Sequence, residues 1–131
     1  MYYIAVDLGT TDFKCSVYRN RRRIAKIRKR APEILPSEKA YMEIDPEAFY
    51  SAFMDILGHA LSLVDPKDAY LAISSMAPTF ILMDKHGRPL TNLILYSDTR
   101  GRELINEELR QLMIEETGNA PDPQHLSLIH I

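Results

Sequence analysis

The chain has few of the features that mark secreted and membrane proteins. It contains one cysteine, Cys15, in 131 residues, and a single thiol cannot form an internal disulfide. It shows no charged leader followed by an apolar run and a small-residue cleavage site, and no stretch of about 18 uninterrupted apolar residues. We therefore expect neither secretion nor a membrane span, and a reducing cytoplasm is the expected location.

An excess of charge of either sign is also missing. The formal net charge of -2 gives no global attraction to nucleic acid or to a membrane surface. Residues 19–30 are nevertheless strongly basic, which leaves open a nucleic-acid-binding surface. The apolar Ile24, Ala25 and Ile27 interrupt those charges. This interruption favours the solvated face and tip of an edge hairpin, so we expect no nucleic-acid partner.

The first half of the chain predicts a mixed sheet with one helix. Residues 2–8, 12–19 and 23–31 have the composition of strands, and their short connections favour an antiparallel meander. Asp45 and Pro46 form a helix start, since aspartate suits the N-cap and proline the first helical position. The apolar run 69–74 then predicts a strand that returns parallel to the first sheet. With 46% hydrophobic residues, a chain of this length can bury a core.

The second half predicts a hairpin and a second helix. Residues 79–84 and 90–96 have strand patterns, and Gly87 lies in the turn between them. Asp98 is the expected N-cap of the following helix, and Gly118 the expected stop. The apolar positions of this helix are Leu104, Ile105, Leu109, Leu112 and Met113.

A turn after the first strand has the composition of a phosphate-binding loop. Gly9 permits a tight turn, Thr10 and Thr11 add hydroxyls to the backbone amides, and such a concavity can hold a polyphosphate. Asp7, at the strand end, is a candidate for holding Mg²⁺ through water. An ordinary hairpin turn is the alternative, because the same residue types are common in turns. With Lys14, this stretch resembles the first phosphate motif of the sugar-kinase, actin and heat-shock-chaperone ATPases.

A second polar group lies between the last predicted strand and the second helix. Tyr96, Asp98 and Arg100 are able to stack on and hydrogen-bond a polyol. The alternative is that Asp98 only caps the helix while Arg100 pairs with a neighbouring acid.

Four motifs together resemble the N-terminal domain of the FGGY carbohydrate kinases. They are, in order, Asp7 to Lys14, Glu43 to Glu47, the segment from Ser74 through Pro78 to Leu90, and Tyr96 to Arg100. The resemblance covers about residues 1–120. It implies an α/β fold, a ribonuclease-H-like (actin-like ATPase) mixed sheet with antiparallel first three strands and helices packed on it. Residues 121–131 are expected to be a truncated or non-native tail.

The resemblance also implies roles for particular residues. Asp7 would serve Mg²⁺, and Gly9, Thr10, Thr11 and Lys14 would bind ATP. The residues implied for a sugar or polyol are Met76, Ala77, Pro78, Tyr96, Asp98 and Arg100. Xylulose kinases have Gln-Met-His and glycerol kinases Gln-Arg-Glu about where Met76, Ala77 and Pro78 stand, whereas Ala77 and Pro78 have no side-chain hydrogen bonds to give. The resemblance therefore assigns neither of those two substrates. Tyr96 replaces the usual tryptophan and keeps a stacking face.

The chain is too short for a complete kinase of this family. The catalytic base and the adenosine pocket are expected beyond it, so no catalytic residue is assigned here. We expect a fragment of an ATP-dependent carbohydrate kinase, inactive alone, whose parent is a candidate homo-oligomer. The alternatives are a non-catalytic ribonuclease-H-like binding module, a basic-hairpin nucleic-acid binder, and a chaperone or filament ATPase.

Overall fold

The computed structural model describes residues 1–39, 41–101 and 105–118. They form two compact units. The first contains Met1–Glu33 and Asp45–Met76, and the second contains Ile34–Ile44 and the described residues from Ala77 onward. In chain order the elements are β1 (Tyr2–Leu8), β2 (Asp12–Arg19), β3 (Arg22–Arg30), β4 (Glu43–Ile44), α1 (Pro46–Leu61), a short 3-10 helix (Pro66–Asp68), β5 (Ala69–Ser75), β6 (Leu93–Ile94) and α2 (Glu107–Thr117).

The first unit is a four-stranded sheet in the order β3-β2-β1-β5. Strands β1, β2 and β3 are antiparallel neighbours, and β5 runs parallel to β1 with Tyr2 opposite Ala69. The predicted meander and the predicted parallel return are both confirmed. The third strand begins and ends one residue earlier than predicted, and its pairing with β2 shifts register between Val17 and Tyr18.

Helix α1 covers one face of this sheet. Its start is as predicted, since the Asp45 side chain accepts a hydrogen bond from the Ala48 amide at 2.7 Å and Pro46 is the first helical residue. The ring of Phe13 packs edge-on against Phe49, with ring centroids 5.0 Å apart. The core consists of alternate strand residues and one side of the helix: Ile4, Val6, Leu8, Phe13, Cys15, Val17, Ala31, Ala52, Ile56, Leu57 and Ala60.

Because strand side chains alternate, the residues between these buried positions lie on the opposite face. We call this the outer face; it carries Asp7, Asp12, Lys14, Arg28 and Arg30. Asp7 and Lys14, which flank the turn, and several cations of the basic hairpin therefore belong to one surface of the first unit.

The second unit contains less regular structure than the sequence predicts. The segments 79–84 and 90–96 do meet antiparallel, with bridges from Phe80 to Ile94 and from Met83 to Pro89. Only Leu93–Ile94 is a strand, however, and it pairs with β4, so the prediction of two full strands is wrong. The backbone ladder is interrupted at Leu82, because its amide donates to the Thr91 hydroxyl instead of to a backbone carbonyl.

The start of the second helix also differs from the prediction. Helix α2 begins at Glu107, and its N-cap is Asn106, whose side chain accepts from the Leu109 amide at 2.8 Å. Asp98 as N-cap is wrong, since its carboxylate binds the Met42 and Arg100 amides instead. Gly118 ends the helix at a positive φ of 71°, as predicted.

Some predictions concern residues that the structure does not describe. Leu104 and the tail 121–131 lie outside the described residues, so the boundary at residue 120 stays a prediction. Within the described ranges, no helix is both long enough and apolar enough to cross a membrane.

Candidate functional site

The predicted phosphate loop is a tight turn between β1 and β2. The Gly9 amide donates to the Asp12 carbonyl at 3.2 Å, and the Thr11 carbonyl accepts from the Ala31 amide at 3.0 Å. A Cβ on residue 9 would stand 3.0 Å from the Asp12 carbonyl oxygen, so a larger residue there would crowd the turn. The amides and hydroxyls of Thr10 and Thr11 have no hydrogen-bond partner within the described part of the chain. The turn thus offers four unused polar groups to a ligand.

Asp7 and Lys14 flank this turn on the outer face. They lie opposite each other on β1 and β2, and the Lys14 Nζ is 3.7 Å from the Asp7 Oδ2. About half of each side chain is exposed. A carboxylate held only by one long contact remains available for a cation, and an exposed ammonium remains available for an anion.

These residues fit a magnesium nucleotide. The described ranges contain no cluster of three or more potential metal-ligating side chains. Magnesium at a nucleotide does not need one, because it is usually held by one or two carboxylates together with waters and phosphates. Asp7 is suited to that single contact.

Asp12 is a second acid beside the turn. Its carboxylate accepts a 2.6 Å hydrogen bond from the Arg28 guanidinium, and its side chain is only 13% exposed. The hydrogen bond from Arg28 lowers the pKa of Asp12, burial opposes this, and the charges of Lys14 and Arg30 add to the lowering. The acid is therefore ionised and surrounded by cations.

The remaining cations of residues 19–30 divide into paired and unpaired groups. Lys29 pairs with Asp55 of α1, and the Arg19 guanidinium lies 5.3 Å from the centroid of the Tyr2 ring. Those without a salt bridge or an aromatic contact in the described ranges are Arg21, Arg22, Arg23, Lys26 and Arg30. All but Arg21, which precedes it, lie on β3 at the sheet edge, as expected for a charged edge hairpin.

In the second unit, Asp98 and Arg100 form the centre of an ion-pair network. Asp98 has no exposed surface, and it accepts hydrogen bonds from the Met42 amide at 2.8 Å and from Arg100 Nε and Nη2 at 2.8 and 2.7 Å. Arg100 Nη2 also donates to Glu43 at 2.6 Å. The guanidinium lies over the Tyr41 ring at 4.0 Å, and Glu43 accepts a further bond from Asn92.

This network shifts the pKa of each charged member. Burial alone raises the pKa of Asp98, but the hydrogen bonds from Arg100 and Met42 outweigh it, and the net direction is downward. The bond from Asn92 and the contacts with Arg100 lower the pKa of Glu43. The bond to Asp98 raises the pKa of Arg100. All three groups stay charged because they are paired.

The other residues predicted for the polyol are more accessible. Tyr96 is 38% exposed, and its amide is 3.3 Å from the Thr79 hydroxyl. Ala77 is exposed, Pro78 is partly buried, and the peptide bond between them is cis. Ala77, Pro78, Tyr96, Asp98 and Arg100 all belong to the second unit, whereas Met76 ends the first. Tyr96 thus offers an aromatic ring to solvent, while Asp98 does not.

Sequence reasoning missed several members of these groups. Glu43 binds Arg100, 57 residues away, and Asn92, 49 residues away. No local sequence pattern indicates contacts over such separations. The pairing of Arg28 with Asp12 depends on the β2–β3 register. The sequence did contain one signal for this pairing, the acid Asp12 beside the turn. A carboxylate that becomes partly buried needs a cation nearby, and Arg28 is that cation.

The chain is similar to known proteins along most of its length. A family model described as the FGGY family of carbohydrate kinases, N-terminal domain, matches residues 2–124. Glycerol kinase 5 of Gallus gallus is 32% identical over 119 residues, which are 88% of this chain and 23% of that protein. A glycerol kinase of Saccharopolyspora erythraea is 28% identical over 110 residues, or 81% of this chain and 22% of that protein.

A solved structure has the same fold. The gluconate kinase from Lactobacillus acidophilus superposes with a TM-score of 0.81 at 26% identity, over 94% of this chain and 26% of that one. This likeness confirms the predicted α/β fold of the actin-like ATPases. The chain spans only about a quarter of the length of these relatives, with shares of 23% and 26%.

Proposed function

Because the chain belongs to the FGGY family of carbohydrate kinases, we propose that the protein containing it transfers the γ-phosphoryl group of ATP to a hydroxyl of a sugar or polyol. In this reaction the acceptor oxygen forms a bond to the γ-phosphorus, and the bond from that phosphorus to the β–γ bridging oxygen breaks. ADP leaves, and the hydroxyl proton passes to a general base. We assign that base to no residue of this chain and expect it elsewhere in the longer protein.

The turn at Gly9, Thr10 and Thr11 is the observation that carries this proposal. Phosphoryl transfer depends mainly on positioning and on electrostatic stabilisation. The unused amides and hydroxyls of the turn supply hydrogen-bond donors for phosphate oxygens. Lys14, on the adjacent strand, supplies a positive charge next to them.

Asp7 is the residue we propose for Mg²⁺. When bound, the ion neutralises phosphate charge during transfer. The contribution of this chain is one half-exposed carboxylate, whose only ionic contact among the described residues is the 3.7 Å approach of Lys14.

For the acceptor we propose the surface formed by Ala77, Pro78 and Tyr96, with Met76 beside it in sequence. Tyr96 presents a ring face and a hydroxyl, whereas Ala77 and Pro78 have no side-chain hydrogen bonds to offer. Asp98 and Arg100 are also proposed for the acceptor; the Arg100 side chain is 27% exposed, whereas Asp98 has no exposed surface. Named relatives act on different acceptors, so the proposal extends to the class of sugars and polyols and no further. We also propose a cytoplasmic location, and a homo-oligomer remains a candidate for the parent.

The proposal is tested with a full-length kinase that carries this domain. ADP release is measured with Mg·ATP and a panel of pentoses, hexonates and polyols, and we expect stimulation by at least one of them. Asp7→Ala should reduce turnover at least about 100-fold, since it removes a metal contact. Glu33→Ala, at an exposed acid of the same unit, is the matched control and should leave turnover unchanged. Absence of sugar-stimulated ADP release across the panel contradicts the proposal.

A further inference from the structure

The negative charge of Asp12 opposes phosphate binding at the turn. Asp12 directly follows Thr10 and Thr11, and it is ionised. Its negative charge repels the phosphates that the turn is shaped to bind, and its low exposure limits screening by water.

Arg28 offsets the negative charge of Asp12. Its guanidinium binds the Asp12 carboxylate from β3, on the far side of β2 from β1. Lys14 lies two residues after Asp12 on the same face, and Arg30 lies opposite Asp12 on β3; both are further cations whose charges act on that carboxylate. Without Arg28, the uncancelled charge of Asp12 would attract Lys14 as well as Arg30 and draw the ammonium away from the turn.

We propose that Arg28 is a positioning residue for the nucleotide phosphates. It pairs with Asp12, cancels the charge of that carboxylate and leaves Lys14 beside Asp7 at the turn, where the ammonium can face the ligand. Arg28 acts here through Asp12 and Lys14 rather than by touching ATP. The inference rests on the proposed function, because it concerns the same nucleotide site.

The test is a titration of the ¹⁵N-labelled chain with Mg·ATP, followed by the amide signals of Gly9, Thr10 and Thr11. Arg28→Gln should weaken binding about tenfold, the effect of losing one charge-assisted interaction. Arg28→Lys should retain most of the affinity. Lys26→Gln is the matched control, since Lys26 is on the same strand and face but has no acid partner in the described residues, and it should change affinity less than about twofold.

A double variant separates the proposed role from direct binding. Asp12→Asn together with Arg28→Gln should restore affinity to within about twofold of wild type, because no charge remains to be cancelled. The inference is overturned if Arg28→Gln binds as wild type does, if Lys26→Gln is equally weak, or if the double variant is not restored. Wild-type turn amides that do not respond to Mg·ATP would instead contradict the nucleotide site of the proposed function, and the inference with it. Amide spectra of the free variants establish that each is folded.

Discussion

Replacing Arg100 by methionine tests whether the ion-pair network holds the second unit together. The change removes the guanidinium that bonds both Asp98 and Glu43 and leaves a carboxylate with no exposed surface. Losing one partner of a buried pair typically costs about 3–5 kcal/mol. Arg100 is 27% exposed, and Asp98 keeps its two amide hydrogen bonds, so we expect about 2–3 kcal/mol after solvent screening.

Arg88→Met is the matched control for this change. Arg88 also donates through Nε to an aspartate, Asp84, and its Nη2 lies 2.7 Å from the same carboxylate, but its side chain is 75% exposed. An exposed pair of this kind contributes at most about 0.5–1 kcal/mol. The two variants remove the same chemical group, once from a part-buried network in which Arg100 also bonds Glu43 and lies over Tyr41, and once from an exposed pair.

Hydrogen exchange at the Met42 amide is the assay, because this amide donates directly to Asp98. A loss of about 2–3 kcal/mol accelerates exchange about 30- to 150-fold, whereas the control should stay within about fivefold. Equal acceleration in both variants would refute the view that burial makes the Arg100 network the stronger one.

The remaining predictions concern pH, the turn and ligands. The folded-state pKa of Asp98 is below its ordinary value of 3.8, so its stabilising contribution is present above that pH and is lost as the pH falls further; urea unfolding at pH 6 and pH 3 checks this. Gly9→Ala should destabilise the chain by about 1–2 kcal/mol, whereas Gly58→Ala, in open space on α1, should stabilise it by about 0.5–1 kcal/mol in the same urea assay. By calorimetry, the chain alone should bind Mg·ATP weakly, with a Kd no lower than the submillimolar range, since small ligands need a formed pocket. Asp7→Ala should change this Kd little, and a submicromolar Kd would contradict the prediction. Fluorescence anisotropy should show at most non-specific, steeply salt-dependent binding of single-stranded nucleic acid, with Kd near 10⁻⁴–10⁻⁶ M or weaker.

The sequence predicted the parts of the fold that depend on neighbouring residues. Strands β1 and β2 and the start of α1 follow from local apolar alternation and from the Asp45 cap, and the parallel return of β5 follows from chain connectivity. The start of α2 did not follow, because Asp98 has the same local cap signal as Asn106. A distant amide, that of Met42, and an arginine two residues away bind the Asp98 carboxylate instead.

The same distinction applies to the candidate sites. The loop from Asp7 to Lys14 is contiguous, so its residues were identifiable from the sequence. The partners Arg28 and Glu43 were not, because their contacts depend on a strand register and on pairing between β4 and β6. Long-range pairing is set by tertiary packing, which residue patterns alone do not encode.

The two edges of the four-stranded sheet have opposite consequences for self-association. Strand β5 contains no charged residue, exposes Leu71 and Ile73, and has a strand neighbour on one side only in the described part of the chain. Such an edge is a template for another copy. The other edge, β3, carries several arginines and lysines, which repel an identical edge. Two copies joined through β5 would leave only basic edges outside, so growth of the shared sheet stops at a symmetric pair and does not continue into a fibre.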